Sequence, residues 1–271
     1  MLKISVIIPV YNSANTIIEC IDSVIRELDS NPYSWELIIV DDGSKDNSVE
    51  KINQHISKLA CTNNIMLIQQ KNTGAAAARN TGIKASQGEF IAFNDSDDKW
   101  IEGKLSSQMK YFVSHPDIDM VAGIFGGDNL STIPTKKIEY STSITIKDQV
   151  LKNYFSPQTT VFRRNILDKT GLFNEKMRYA EEGYFFNRMV YYGTCVVLNK
   201  KVTEPILFKG RWGDTGLSGN LKEMEKGELS NICEAYKSNF IRLPLFVFAV
   251  CFSIIKYLRR VILKQFRFHN K

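Results

Sequence analysis

The sequence predicts an α/β protein: a mostly parallel central sheet flanked by helices, with a helical C-terminal appendage. Four short apolar runs begin near residues 4, 35, 65 and 89, each separated from the next by the length of one βαβ unit. The stretches between them carry apolar residues at helical period. Polar clusters follow the runs, at the carboxyl ends where a parallel sheet gathers its ligands.

Taken in order, Ile4–Val10 is a continuous apolar run, as suits a strand covered on both faces. Ile17, Ile21, Val24, Ile25 and Leu28 then mark an amphipathic helix, with Ser13 or Asn15 placed to cap it. Trp35–Val40 is the second strand, Asp41 to Ser44 its turn, and Val49, Ile52, Ile56 and Leu59 the next helix. Ile65–Gln69 is the third strand, Ala75–Ala85 an alanine-rich helix, and Glu89–Phe93 the fourth strand. Residues 125–145 lack a clear period and read as a loop or connector. Further helix-like and strand-like stretches run to about 208, and a charged helix covers 220–238.

The chain has 271 residues, 44% hydrophobic and 24% charged, the balance of an ordinary globular protein. Five scattered cysteines form no C-x-x-C pair, so neither a disulfide framework nor a zinc site is indicated. The N-terminal apolar run is too brief for a signal peptide, which predicts a cytoplasmic protein. Net charge is +6, and the last sixteen residues hold six Lys and Arg with no acid, leaving residues 1–255 formally neutral. A nucleic-acid footprint spreads cations over the folded body, so no nucleic acid is expected as a partner.

Before that basic tail, Leu243–Ile255 runs uncharged for thirteen residues, about 20 Å as a helix and too short for a bilayer core of roughly 30 Å. Lys256, Arg260, Lys264 and Arg267 recur at helical spacing with apolar residues between them. This predicts an interfacial helix on an anionic membrane surface, the inner face of the cell membrane. The same pattern fits a helix packed on the domain with a solvated basic face. The expected organisation is a domain over 1–220, in two halves at 1–100 and 101–220, then a membrane-associated segment at 221–271.

Asp95, Ser96, Asp97 and Asp98 leave the fourth strand as three carboxylates within four residues. In extended backbone Asp95 and Asp97 point the same way, and carboxylates about 4 Å apart repel by roughly 4 kcal/mol at an effective dielectric of 20. Such a pair calls for a cation, and oxygen ligands at a phosphate site favour Mg²⁺ or Mn²⁺. The pattern also fits Asp97 or Asp98 capping a helix that starts near Ile101. Asp41 is placed to accept from a base N–H or ribose hydroxyl, with Asp42 and Ser44 shaping the turn. Gly74 opens the alanine-rich helix and lets a ligand approach the backbone. Arg79 is the best diphosphate or base contact in this half, the alternative being a surface helix arginine. No Walker or G-x-G-x-x-G motif is present.

Together, residues Ser5–Asn12, Val40–Ser44, Asn72–Gly74 with Ala78–Asn80, and Phe93–Asp98 resemble the donor half of the family-2 inverting glycosyltransferases of bacterial surface-polysaccharide synthesis. The resemblance implies a GT-A fold and a nucleotide-sugar donor, UDP-linked in most of the family. It places the nucleoside near Pro9, Tyr11, Asp41 and Arg79, with Gly74 and Ser96 among the donor contacts. It puts a divalent metal on Asp97 and Asp95, with Asp95 also toward the ribose.

Gln158–Arg164, Gly171–Glu175 and Tyr179–Glu182 with Arg188 are similar to the family's acceptor half. The family usually has Glu-Asp where this chain has Glu181-Glu182, and its Asp is the general base. Glu182 is one methylene longer and takes that role, with Glu181 as the alternative; the competing reading is an acidic first helical turn favoured by the helix dipole. Phe208 to Trp212 keeps the Arg-Trp of the processive synthases' Q-x-x-R-W but has Phe where Gln belongs. Arg211 is then a diphosphate or acceptor contact, and one sugar is transferred to a saccharide or lipid-linked acceptor. Competing readings are a binding protein without turnover and a sugar-1-phosphate nucleotidyltransferase.

Overall fold

A computed structural model describes residues 3–126, 140–207 and 219–269, the side chains of 265–269 excepted. The first half follows the predicted alternation. β1 (Lys3–Val10), α1 (Ile17–Asp29), β2 (Ser34–Asp41), α2 (Ser48–Ile56), β3 (Ile65–Gln69), α3 (Ala75–Ala85) and β4 (Phe90–Phe93) come in that order. The second half contains β5 (Asp98–Trp100), α4 (Lys104–Ser114), β6 (Met120–Phe125), β7 (Ser141–Ser143), α5 (Ile146–Leu151), β8 (Thr160–Arg163), α6 (Leu167–Thr170), α7 (Glu181–Tyr192), β9 (Cys195–Pro205), α8 (Leu221–Lys237) and α9 (Leu243–His269). The predicted connector at 125–145 lies mostly outside the described residues, and its far end forms β7.

The strands make one sheet in the order β3-β2-β1-β4-β8-β6-β9-β5, with β7 on β9. β3, β2, β1 and β4 are parallel, as continuous apolar runs separated by helices require. β8 then runs antiparallel between β4 and β6. The direction of the sheet therefore changes beside β4, the strand that delivers the acidic turn. Two apolar clusters cover its faces. Ile4, Val6, Ile8, Ile21, Leu37 and Phe112 belong to one, and Ile7, Ile38, Phe93, Phe162, Phe185 and Met189 to the other. Full burial of each such side chain contributes about 1.5–3 kcal/mol.

Several local expectations change. The start of α1 is not capped by a Ser13 or Asn15 side chain: the Ser13 carbonyl accepts from the Thr16 and Ile17 amides instead. No acid of the 95–98 turn caps the helix expected near Ile101. That helix is α4, it begins at Lys104, and Glu27 at the end of α1 accepts from the Gly103 and Leu105 amides at 2.8 and 2.9 Å. Asp98 opens the short strand β5, paired with the end of β9. A partner distant in sequence supplies the cap, which no local pattern could announce.

The basic tail is also arranged differently. Lys256 binds Glu228, and Arg260 binds Glu225 at 2.9 Å and Glu228 at 3.3 Å, all on α8. Lys264 donates to the Gly219 carbonyl. These cations therefore dock α9 onto α8 rather than facing solvent. The face they leave outside is apolar: Val247, Phe248, Ile254, Ile255, Leu258 and Ile262 are exposed along it. Between α5, α8 and α9 lies a third apolar cluster, including Val150, Ile232, Phe240 and Ala249. Among the described residues no helix is long and apolar enough to cross a membrane.

Candidate active site

The parallel strands end side by side, so residues far apart in sequence meet at one edge. Val10 is in register with Asp41, and Asn94 donates its amide to the Ile7 carbonyl at 3.1 Å. The Ser13 and Ser96 hydroxyls lie 2.6 Å apart. Pro9, Tyr11, Asp41 and Ser96 thus share this edge, and Tyr11 is 46% exposed.

The two acids after β2 divide their work. Asp42 accepts from the Thr73 and Gly74 amides at 2.9 and 2.8 Å and from Gln70 Nε2 at 2.8 Å. It thereby fastens the loop before α3, the structural task expected of it. Among the described residues the Asp41 carboxylate accepts only from the Ser44 amide, at 3.2 and 3.4 Å. Gly74 has φ +100°, and a Cβ there would meet nothing within 4 Å. Glycine is required by the backbone rather than by crowding, and the space above it is open.

The 95–98 segment is a turn, not extended backbone: the Asp98 amide donates to the Asp95 carbonyl at 3.0 Å, and Asn94 Nδ2 donates to the Asp98 carbonyl at 2.9 Å. The alternating-face argument for Asp95 and Asp97 therefore does not apply. Instead Asp95 turns toward Arg79, which is neither a surface helix residue nor open to solvent, with a side chain 4% exposed. Its Nη2 binds Asp95 Oδ1 at 2.8 Å and lies 3.9 Å from Glu182, while Nη1 binds Glu181 at 3.3 Å. One guanidinium thus links the acidic turn of β4 to the first turn of α7.

The charges around it do not balance. Asp95, Glu181 and Glu182 surround one cation, and Asp98 lies close to Asp95 and Glu182. Burial, reinforced by Asp95 and Glu182, pushes the Asp98 carboxyl up to about 8. Burial likewise raises Glu182 to about 8, with Glu181 and Asp95 adding to the rise and Arg79 opposing it. An excess of carboxylates held up in this way fits a further positive charge. Among the described residues no three acids, histidines or cysteines form a metal cage by themselves. Two carboxylates completed by phosphate oxygens is the usual manner of holding Mg²⁺, and Asp95 with the half-buried Asp97 suits it.

Glu181 and Glu182 stand in the first turn of α7. The residue before them, Ala180, has φ +56°, a left-handed conformation that costs a non-glycine roughly 1–2 kcal/mol. Contacts from α8 hold it. Asn231 Nδ2 donates to the Ala180 carbonyl at 2.8 Å, and Gly227 lies so close that a Cβ there would come within 2.7 Å of the Tyr179 carbonyl and 2.9 Å of Ala180 Cβ. Asn231 and Ala180 carried no signal as single residues, and Asp98 was visible only as one of three acids or as a helix cap. The one signal for the first two was glycine inside helices, at 183 and 227, which marks close approach. Arg211 lies outside the described residues.

The solved S. aureus TarS fragment 1–349 in complex with UDP-GlcNAc superposes with a TM-score of 0.65 at 23% identity, covering 85% of this chain and 66% of that one. The mannosyltransferase PcManGT of Pyrobaculum calidifontis, in complex with GDP-Man and Mn²⁺, gives 0.64 at 15% identity over 93% and 73%. The architecture is the GT-A fold of nucleotide-sugar transferases. Residues 5–171 match the model of Glycosyl transferase family 2, and the chain belongs to that family. It is 32% identical over 196 residues to the minor teichoic acid biosynthesis protein GgaA of Bacillus subtilis, covering 69% of this chain and 43% of GgaA. It is 31% identical over 188 residues to the poly(ribitol-phosphate) beta-glucosyltransferase of Bacillus spizizenii, covering 68% of this chain and 29% of that protein. The chain thus spans less than half the length of either relative.

Proposed function

We propose that this protein is a metal-dependent inverting glycosyltransferase that moves one sugar from a nucleotide-sugar, UDP-linked, to a saccharide or lipid-linked acceptor in surface-polysaccharide synthesis. The observation that carries the reading is the meeting of Asp95, Glu181 and Glu182 on Arg79, which brings the donor edge of the sheet to the wall of a cavity on the acceptor side. The names of the teichoic acid relatives and the UDP-GlcNAc complex support the acceptor and donor classes.

Pro9, Tyr11 and Asp41 receive the nucleoside at the open strand edge, and Gly74 leaves room for the donor. Arg79, being occupied by carboxylates, positions Asp95 and the α7 glutamates rather than gripping the diphosphate directly. A divalent ion, Mn²⁺ or Mg²⁺, held by Asp97 and Asp95 would neutralise charge developing on the departing diphosphate. Glu182 serves as the base: its side chain is 31% exposed and only loosely paired, whereas Glu181 is 12% exposed and engaged by Arg79. Glu182 takes the proton of the acceptor hydroxyl as its oxygen bonds the anomeric carbon, and the carbon–oxygen bond to the diphosphate breaks on the opposite face.

Calorimetric titration with UDP, GDP and dTDP, with and without Mn²⁺, tests the donor site. UDP binding that requires both Mn²⁺ and Asp97, and fails in Asp97→Ala, is expected. No nucleotide binding under any condition overturns the reading.

The exposed stripe of α9 supports peripheral attachment to an anionic membrane, with Arg242 exposed just before this helix and Arg259 exposed on it. In this arrangement apolar residues enter the interface and cations flank them. Sedimentation with phosphatidylglycerol vesicles should be lost in Phe248→Asp with Ile255→Asp; unchanged sedimentation overturns the attachment. Substitution is the better test than removing 243–271, because α9 also covers the third apolar cluster.

A further inference from the structure

α8 meets the first turn of α7 at a crossing built on glycine. At Gly183 a Cβ would come within 2.5 Å of Asn231 Nδ2, and at Gly227 within 2.7 Å of the Tyr179 carbonyl. Glycine on both helices thus brings one backbone onto the other. The Ala180 carbonyl between them accepts from Asn231 Nδ2 at 2.8 Å and from the Gly183 amide at 3.1 Å. A close-packed contact of this kind has no slack to absorb a shift, so a movement of α8 is passed directly to Glu181 and Glu182.

The principal neighbours of α8 are other helices, α9, α7 and α5. Lys256, Arg260 and Lys264 lie one turn apart on one face of α9. They meet α8 in reverse order, at Glu228, at Glu225 with Glu228, and at the Gly219 carbonyl just before the helix. Glu225 is buried, and its two oxygens take Arg260 Nη2 at 2.9 Å and Ser253 Oγ at 2.8 Å. Lys256 also donates to the Leu151 carbonyl at the end of α5 at 2.9 Å, so one ammonium joins three helices. A buried carboxylate is tolerated only while its compensating charge is in place, which makes the seat of α8 depend on Arg260. Glu228, Lys256 and Arg260 line the same cavity of about 660 Å³ as Glu181 and Glu182. The Lys226–Glu223 pair is of another kind, because it is exposed and joins α8 only to itself.

We propose that Arg260 and Lys256 are positioning residues for the transfer: by clamping Glu225 and Glu228 they seat α8 against the turn at Ala180 and so aim Glu182. The inference rests on the glycosyltransferase reading, in which Glu182 is the base, and deepens it by giving the inward face of α9 a part in the reaction geometry. A displacement of about 1 Å at a reacting group costs on the order of a hundredfold in rate. Partial release of α8 is therefore expected in kcat and not in donor affinity.

The test reads the full chain in three ways: UDP affinity with Mn²⁺, hydrogen exchange at the Gly183 amide followed by NMR, and release of UDP from UDP-glucose or UDP-GlcNAc with water as the acceptor. Water removes any contribution from direct contact between the α9 cations and a saccharide. Arg260→Gln is expected to speed Gly183 exchange and to lower kcat for UDP release, each about tenfold, with the UDP Kd and exchange across β1 unchanged. Arg260→Lys should recover most of both, and Lys226→Gln should match the wild type. In Arg260→Gln/Asn231→Ala the loss of kcat should fall well short of the product of the two single losses, because both act through the Ala180 turn. Gly183 exchange or kcat equal to wild type in Arg260→Gln overturns the proposal, as do losses that multiply in the double variant. Where Arg260→Gln opens β1 to exchange, Glu228→Gln, which keeps Arg260 on Glu225, is read in its place with the same directions expected. A wild type that binds UDP but releases none from either donor overturns the transferase reading, while exchange at Gly183 still decides the clamp.

Discussion

Asn231 on α8 donates through Nδ2 to the carbonyl of Ala180 at 2.8 Å, fixing the left-handed residue that aims Glu181 and Glu182. The helix that follows the last strand therefore shapes the acidic end of α7. Asn231→Ala should lower kcat by about tenfold, the equivalent of one lost hydrogen bond of roughly 1.4 kcal/mol, with the UDP Kd unmoved. Steady-state kinetics beside calorimetry checks this; an unchanged kcat would mean that Gly227 packing alone holds the turn.

Arg79 is enclosed by three carboxylates, so removing it strands buried charge. Arg79→Met should cost about 3–5 kcal/mol of stability, read by urea unfolding. Arg79→Lys retains the charge but cannot span Asp95 and Glu181 together, and should fall between wild type and Met. Stability unaffected by either substitution would show that the three acids are accommodated without it.

Glu182 is raised to about 8 chiefly by burial, and a general base works only when deprotonated. kcat/KM should therefore climb as pH rises through about 8 and level above it. Glu182→Gln should lose nearly all transfer. A rate already level by pH 6 would assign the proton transfer to a different group, Glu181 first.

Lys104 is fully buried, donates to Gln108 Oε1 at 2.9 Å, and is lowered by burial to about 7 from 10.5, with Glu27 opposing. Its folded value lies below its unfolded one. Between about pH 7 and 10.5 the unfolded chain holds a proton that the folded chain has released, so this group makes stability rise with pH. Glu182 and Asp98 act oppositely up to about pH 8, so the comparison must isolate the lysine. Lys104→Met should flatten the rise seen in urea unfolding at pH 7, 8 and 9; parallel curves would show that Lys104 stays protonated when folded.

The first half of the fold was legible because its information is local. Apolar runs such as Ile65–Gln69 and the helix Ala75–Ala85 keep the bounds that their patterns set, since a strand buried on both faces and a helix of small residues each leave a period in the chain. Glu181 and Glu182 could likewise be picked out as an acidic pair. By itself the sequence determined the α/β alternation, the acidic turn after β4 and the excess of cations in the tail.

Only the tertiary structure decided what those charges face. Arg79 is separated from Glu181 by 102 positions, and no pattern along the chain records that their side chains meet. The same holds for Glu27 capping α4 and for Lys256 and Arg260 turning inward to α8. A charge is placed by the partner that compensates its loss of water, and that partner is chosen by the packing of whole elements. Periodicity reports which face of a helix is apolar; which face is covered depends on what else the fold brings alongside, and in α9 that neighbour is a row of glutamates.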